Sequence, residues 1–292
     1  MKIKRQVRRA KQLIERYLPF KQLIEQQQIN TKFSQEILLL KGEHQANNQH
    51  QSILFFTTHK CASVYVGNIL KKLIRDTSIT PIDLDNYFWR IAVPKESRGE
   101  KYSKAIKPFG YLYAPLRDPN DCLALIDNLE SYTILLMLRD PRDVLTSMYF
   151  SFAYSHYVPT TQKDSILTKR ENIQQRTIDE FVIDDMPNLL KKYNACCQEI
   201  FGKPNVLFVK YEDMVNDFES WLDSVIHFLN LDVNQATVSQ IINEANFDVE
   251  EDIYSHKRQV TPGDHKRKLL PETIDSLNSE FGEVLDILGY KR

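Results

Sequence analysis

Four stretches of the chain collect polar side chains, and the first two are able to hold an anion. The first is Thr57-Thr58-His59-Lys60-Cys61-Ala62-Ser63-Val64-Tyr65. Small residues at 61–63 allow the backbone amides to face inward as a nest, and a helix opening near Ser63 would add its positive end. Lys60 supplies a mobile cation and Ser63 a hydroxyl, so the segment reads as a phosphate cradle built without glycine. The bland alternative is a Ser63 helix cap beside a solvated lysine. The second stretch is Arg139-Asp140-Pro141-Arg142-Asp143-Val144-Leu145-Thr146-Ser147. Asp140 followed by Pro141 is an N-cap with the favoured first-turn proline. Arg139 therefore ends a strand, and Ser147 lies two turns into the next helix, where both can approach one anionic group. The alternative here is an arginine paired with a neighbouring carboxylate. Tyr211-Glu212-Asp213 and Arg258-Gln259-Val260-Thr261-Pro262-Gly263-Asp264 are the later polar clusters.

Such residues need strand ends and helix starts to converge, and the hydrophobic pattern supplies them. Ile53–Phe56, Tyr132–Leu138 and Val206–Val209 are continuous apolar runs of strand length. Each precedes a helical pattern: Val66, Ile69, Leu70, Leu73 and Ile74; then Pro141–Ser151; then Trp221, Val225, Phe228 and Leu229. Repeated strand–helix units predict an α/β domain around a mainly parallel sheet, with ligands at the carboxyl ends of the strands. The polar stretch Gln45–Gln51 is read as a linker, giving a helical N-terminal extension (1–50) and a main domain (51–292). Residues Ser155–Gln175, polar and charge-mixed, are expected to form an acceptor-binding lid or a disordered loop.

Composition narrows the chemistry. The chain has eight glycines in 292 residues, under half the usual ~7%. None are spaced as a dinucleotide turn, a Walker A loop or a nucleophile elbow. Four cysteines without a CxxC pair suit a reduced, cytoplasmic protein. The histidines show no metal-ligand spacing, so no metal is expected. No apolar run reaches the ~20 residues of a membrane span. The net charge of −1 conceals a basic N-terminus: residues 1–28 hold eight Lys/Arg against Glu15 and Glu25. Ile3, Val7, Ala10, Ile14 and Tyr17 recur there at helical spacing, with Pro19 interrupting the run. This stripe is read as packing on the main domain, with peripheral contact to an anionic membrane as the alternative. No aromatic-interleaved basic patch points to nucleic acid.

With the motifs in order, Thr58–Tyr65 (THKCASVY) resembles the 5′-phosphosulfate loop of PAPS-dependent sulfotransferases, and Arg139–Ser147 (RDPRDVLTS) resembles their 3′-phosphate motif. Tyr211-Glu212-Asp213 looks like the family's YED, and Ser255–Lys266 like its late RKGxxGDW segment. The resemblance spans Ser52–Lys266. It implies a three-layer α/β/α, P-loop-like fold and transfer of a sulfuryl group from PAPS to an acceptor hydroxyl or amine, releasing PAP. It implies that Lys60 neutralises the leaving phosphate while Ser63 and the amides of Cys61, Ala62 and Val64 hold the 5′-phosphate. Arg139, Ser147 and Arg258 would hold the 3′-phosphate, and Tyr65, Tyr211 and Phe247 would flank the adenine. The chain departs from the pattern at Val64, where a second hydroxyl is usual, at Cys61-Ala62, and at His265, where tryptophan is usual.

The histidine that many members carry on a strand end is absent from Tyr111–Arg117. His156 is then the candidate base. His59 is set aside because neighbours in an extended segment point to opposite sides. Arg117, Asp118 and Asp121 remain as acceptor contacts. The acceptor class (carbohydrate, lipid or small molecule) and the oligomeric state are left open. A PAP-binding protein without turnover, or a nucleotide kinase, are the rival readings.

Overall fold

Five strands form one sheet in the order β2-β3-β1-β4-β5: β1 Ile53–Thr57, β2 Thr80–Ile82, β3 Tyr111–Leu116, β4 Thr133–Leu138 and β5 Val206–Lys210. Every neighbouring pair is parallel. This computed structural model describes residues 23–46, 48–158, 163–247, 250–255 and 259–292. Central strands of a parallel sheet are covered on both faces and must be apolar throughout. β1 and β3 are accordingly buried at every position. β5, at the edge, is only partly buried.

Topology places the site. Successive strands run from β1 to one side (β2, β3) and then return to the other (β4, β5), so the order reverses at β1 and β4. Loops leaving those two carboxyl ends diverge to opposite faces and leave a crevice between them. β1 feeds a helix at Ser63–Leu73, and β4 feeds one at Pro141–Phe150.

In chain order the helices used below are α1 Ser34–Lys41, α2 Ser63–Leu73, α3 Leu84–Arg90, α4 Pro141–Phe150, α5 Lys163–Gln174, α6 Ile178–Glu199, α7 Tyr211–Asn216 and α8 Phe218–Leu229. α6 opens with a capping box, Thr177 receiving the Glu180 amide and the Glu180 carboxylate receiving the Thr177 amide. Its length carries Tyr193 to the end of β4, where the phenol donates to the Arg139 carbonyl at 2.6 Å.

The chain divides into two units, Met1–Gln45 and Ala46–Arg292. In the first, residues 23–32 and α1 are helical. The basic stripe from Ile3 to Tyr17 and Pro19 lies outside the described residues. In the second unit, the polar stretch from Ala46 is hydrogen-bonded to the sheet. The Ala46 amide donates to the Tyr111 hydroxyl at 2.9 Å, and the Gly110 amide to the His50 carbonyl at 2.7 Å. Gly110 has φ +91°, and a Cβ there would lie 2.1 Å from that of Ala46, so only glycine fits.

One expectation is corrected. Within Ser155–Gln175, residues Lys163–Gln174 are helical (α5) rather than a loop. Arg170 of that helix donates to the Phe152 and His156 carbonyls, and Gln174 to the Ala153 carbonyl. These carbonyls belong to a π-helical turn, Ser151–Ser155, and its exit, where the wide turn leaves acceptors for side chains to fill. Polarity on α5 thus serves its neighbour.

Candidate active site

The β1–α2 loop is unusual in its backbone. Lys60 (φ +67°) and Ala62 (φ +51°) are both left-handed, a conformation that costs a non-glycine residue about 1–2 kcal/mol. The two bends curl the chain so that α2 begins with no side-chain cap. Its first amides are left to an outside acceptor, with the helix dipole favouring an anion. Cys61 is buried inside this curl. Its thiol lies 3.1 Å from the Thr58 hydroxyl, and burial raises its pKa. Its contribution is therefore backbone placement, not nucleophilicity. Val64, by contrast, is 49% exposed at the helix start.

Ser63 is occupied. Arg117, just past β3, donates from Nε to the Ser63 hydroxyl oxygen at 2.8 Å. The Arg117 amide donates to Asp85 at 2.8 Å, its Nη1 lies 3.8 Å from the same carboxylate, and the Tyr102 hydroxyl donates to the other oxygen. Burial raises the Asp85 pKa, partly offset by Arg117. This Ser63–Arg117–Asp85–Tyr102 chain joins the cradle to α3. Sequence reasoning had Arg117 only as an acceptor contact and missed Asp85 and Tyr102.

At the second junction the expected N-cap forms, Asp140 accepting from the Arg142 amide at 3.0 Å. Arg139 is 3% exposed and still charged. Burial pulls its pKa down, but Tyr211 and Asp143 more than offset that and hold it above its ordinary value. Its guanidinium sits 4.3 Å above the Tyr211 ring, 3.7 Å from Asp143, and donates from Nη1 to the Lys60 carbonyl at 3.2 Å. Among the described residues its Nε has no partner. One cation thus braces both strand ends.

Asp143, unremarked in the sequence, is the hub. It accepts from the Gly263 amide (2.6 Å), the His265 amide (2.9 Å) and His265 Nδ1 (2.6 Å). Burial pushes its pKa up, but these bonds and Arg139 win and hold it well below the carboxylate range. Gly263, at φ +85°, makes the turn that offers two nearby amides to one carboxylate. His265 is therefore a buried anchor of the late segment. Arg258 lies outside the described residues.

The remaining candidates fall into separate groups. Tyr65 meets Phe247 edge-on at 5.8 Å and Phe218 at 6.3 Å, an apolar corner beside α8. Burial and then Glu244 push the Tyr65 pKa up to about 12. Tyr211 is buried apart from solvent, its hydroxyl donating to the Val260 carbonyl at 2.8 Å. Ser147 is half-buried on α4. His156 leaves the π-helical turn between the rings of Trp89 (5.7 Å) and Phe152 (5.4 Å). No group of three or more His, Cys, Asp or Glu able to hold a metal occurs among the described residues.

The pattern of the sulfotransferase domain family matches residues 128–278, just over half the chain. The chain belongs to the sulfotransferase domain family. The match takes in the Arg139 junction, α7 and the Gly263 turn, and begins after the Lys60 loop. No curated protein sequence matches the chain. Among solved structures, mouse sulfotransferase SULT7A1 complexed with PAP is 17% identical, covering 85% of this chain and 89% of its own, at a TM-score of 0.55. Retinol dehydratase in a complex with retinol and PAP is 13% identical, covering 82% of each chain, at 0.51. These likenesses establish the sulfotransferase fold for this chain, including the region before residue 128.

Proposed function

We propose that the protein transfers the sulfuryl group of PAPS to a hydroxyl or amine of an acceptor and releases PAP. The reading is carried by the 3.2 Å bond from Arg139 Nη1 to the Lys60 carbonyl. It ties the loop that carries Lys60 at the end of β1 to the buried arginine at the end of β4, joining the two sides of one crevice. The α2 start, without a side-chain cap, and the Arg139 Nε, without a partner among the described residues, fit a ligand carrying more than one anionic group. Both solved relatives above were crystallised with PAP, which supports the same donor here.

In this reading the α2 amides and the Ser63 hydroxyl hold the 5′-phosphate, with Arg117 orienting that hydroxyl. Lys60 neutralises charge on the leaving phosphate, and Arg139 with Ser147 and Arg258 recognises the 3′-phosphate. Tyr65 and Phe247 bound the adenine on one side. As in phosphoryl transfer, the protein's part is alignment and stabilisation of developing charge. The four cysteines are free thiols, three of them buried, as suits a reducing compartment.

PAP should raise the melting temperature more than AMP or ATP at equal concentration, since only a 3′-phosphate site rewards the additional charge. Lys60→Ala should lower turnover of PAPS by about 10²–10³-fold while the protein stays folded. Preference for ATP would favour a kinase, and PAP binding without transfer would favour a nucleotide-binding protein; either result removes the proposal.

A further inference from the structure

Ser63 is the first residue of α2, and the position after it, Val64, carries no hydroxyl. A hydroxyl has one proton and two lone pairs, so a neighbour that fills a lone pair also decides which way the proton is spent. At Ser63 that neighbour is Arg117, whose Nε lies 2.8 Å from the hydroxyl oxygen. A guanidinium has N–H donors and no acceptor, so Arg117 can only donate to Ser63. Among the described residues no second side chain bonds this hydroxyl, and its proton is left for a ligand.

What holds Arg117 comes from other parts of the chain. Asp85, the second residue of α3, accepts the Arg117 amide through Oδ2 at 2.8 Å, and the same oxygen lies 3.8 Å from Nη1. The Tyr102 hydroxyl donates to Oδ1. All four residues are buried. Burial, and then Asp85, push the Tyr102 pKa up, so it stays a phenol that donates. The direction of every bond is therefore forced: Tyr102 to Asp85, Arg117 to Asp85, Arg117 to Ser63. Asp85 also offsets the guanidinium charge, so the pair reaches a ligand through the hydroxyl rather than through its field.

Resting on the sulfuryl-transfer reading, we propose that Asp85 and Arg117 are positioning residues that make Ser63 an obligate hydrogen-bond donor to the 5′-phosphate. The cradle then offers donors only: the first amides of α2, the Ser63 hydroxyl and Lys60. A protonated phosphate oxygen finds nothing there to donate to, so the cradle selects an oxyanion that carries no proton of its own. With Val64 in the next position, the single hydroxyl cannot be replaced by a neighbour, which is why its direction is fixed by so long a chain of partners.

The test is calorimetry of PAP binding to the full-length wild type, Ser63→Ala, Arg117→Gln, the double variant of these two, and Asp85→Asn. Ser63→Ala should weaken PAP by about tenfold, the worth of one hydrogen bond to a charged group. Arg117→Gln should do the same, because the new carbonyl can accept the Ser63 proton and turn it away from the phosphate. The double variant should bind within about threefold of Ser63→Ala, since both changes remove one and the same bond. Asp85→Asn should also weaken PAP, although it takes a negative charge away from an anionic ligand; Coulomb attraction alone would tighten the complex. Additive losses in the double variant, or tighter PAP binding by Asp85→Asn, would mean that Arg117 acts through its charge, and either overturns the proposal. Unchanged PAP affinity in the folded variants, with only a lower melting temperature, would show a merely structural network and overturns it as well. A wild type that prefers AMP to PAP overturns the underlying reading instead. If Arg117→Gln does not fold, the Arg117 Nε–H resonance is followed by ¹⁵N NMR in the wild type and in Ser63→Ala. It should shift on the substitution and persist in the wild type when PAP is added; its loss on adding PAP would mean that the guanidinium has left Ser63, and overturns the assignment.

Discussion

The two strand-to-helix junctions of the crevice solve the same backbone problem in opposite ways. At β4–α4, the helix start is capped and braced from within. Asp140 caps the helix and takes both Nε and Nη2 of Arg142, at 2.9 and 2.6 Å. Arg142 in turn reaches Asn278 at 2.5 Å and the Lys291 carbonyl at 2.8 Å, and Glu212 receives the Asp140 amide at 3.0 Å. At β1–α2, the helix start has no side-chain cap, and two non-glycine residues are held left-handed. The first junction is a finished piece of structure that holds an arginine in place. The second carries two left-handed residues and a helix start without a side-chain cap, an arrangement suited to a ligand that completes it.

Cutting the finished junction should have the largest effect on stability. Asp143→Asn removes a buried carboxylate from Arg139, His265 and the Gly263 turn, and should cost about 3–5 kcal/mol in denaturant unfolding. The pH dependence follows from the sign of its shift. A carboxylate whose folded pKa is depressed contributes stability that is complete above the unfolded value near ~4 and is lost as pH falls through the folded pKa. Wild type should therefore lose stability below about pH 4, and Asp143→Asn should show a shallower acid slope. An unchanged slope would mean that Asp143 is not the hub.

Relaxing the strained junction should do the reverse. Ala62→Gly removes a side chain from a left-handed position and should stabilise by about 0.5–1 kcal/mol, the relief exceeding the entropy cost of glycine. A loss of stability there would show that the loop is not strained. The smallest change is expected at Val64. Its exposed side chain at the α2 start accepts Thr without repacking, and Val64→Thr should tighten PAP binding a few-fold, about 1 kcal/mol for one added hydrogen bond. A weaker PAP complex would place the phosphate away from α2.

Much of this was legible in the residues. The apolar runs Ile53–Phe56, Tyr132–Leu138 and Val206–Val209 read as strands and fold as β1, β4 and β5, and Asp140-Pro141 begins a helix as its cap signal says. α5 was not legible, because its polar face serves carbonyls of the π-helical turn and so lacks an apolar stripe. Nothing in Thr58-His59-Lys60 signals a left-handed lysine, a state imposed by the fold around it.

The sequence by itself determined strands β1, β4 and β5, the Asp140 cap, the scarcity of glycine at the cradle and the presence of cations at both strand ends. These rest on local preference and on apolar periodicity, which act over a few residues. Tertiary structure alone decided that Arg117 would take the Ser63 hydroxyl, that Asp143 would hold Gly263 and His265, and that Lys192 would pair with Asp118. Those partners are 54 to 122 residues apart in the chain, where no spacing rule reaches. Burial settles such pairs: a charge enclosed by the sheet and its helices must find its counter-charge in whatever segment the topology delivers beside it.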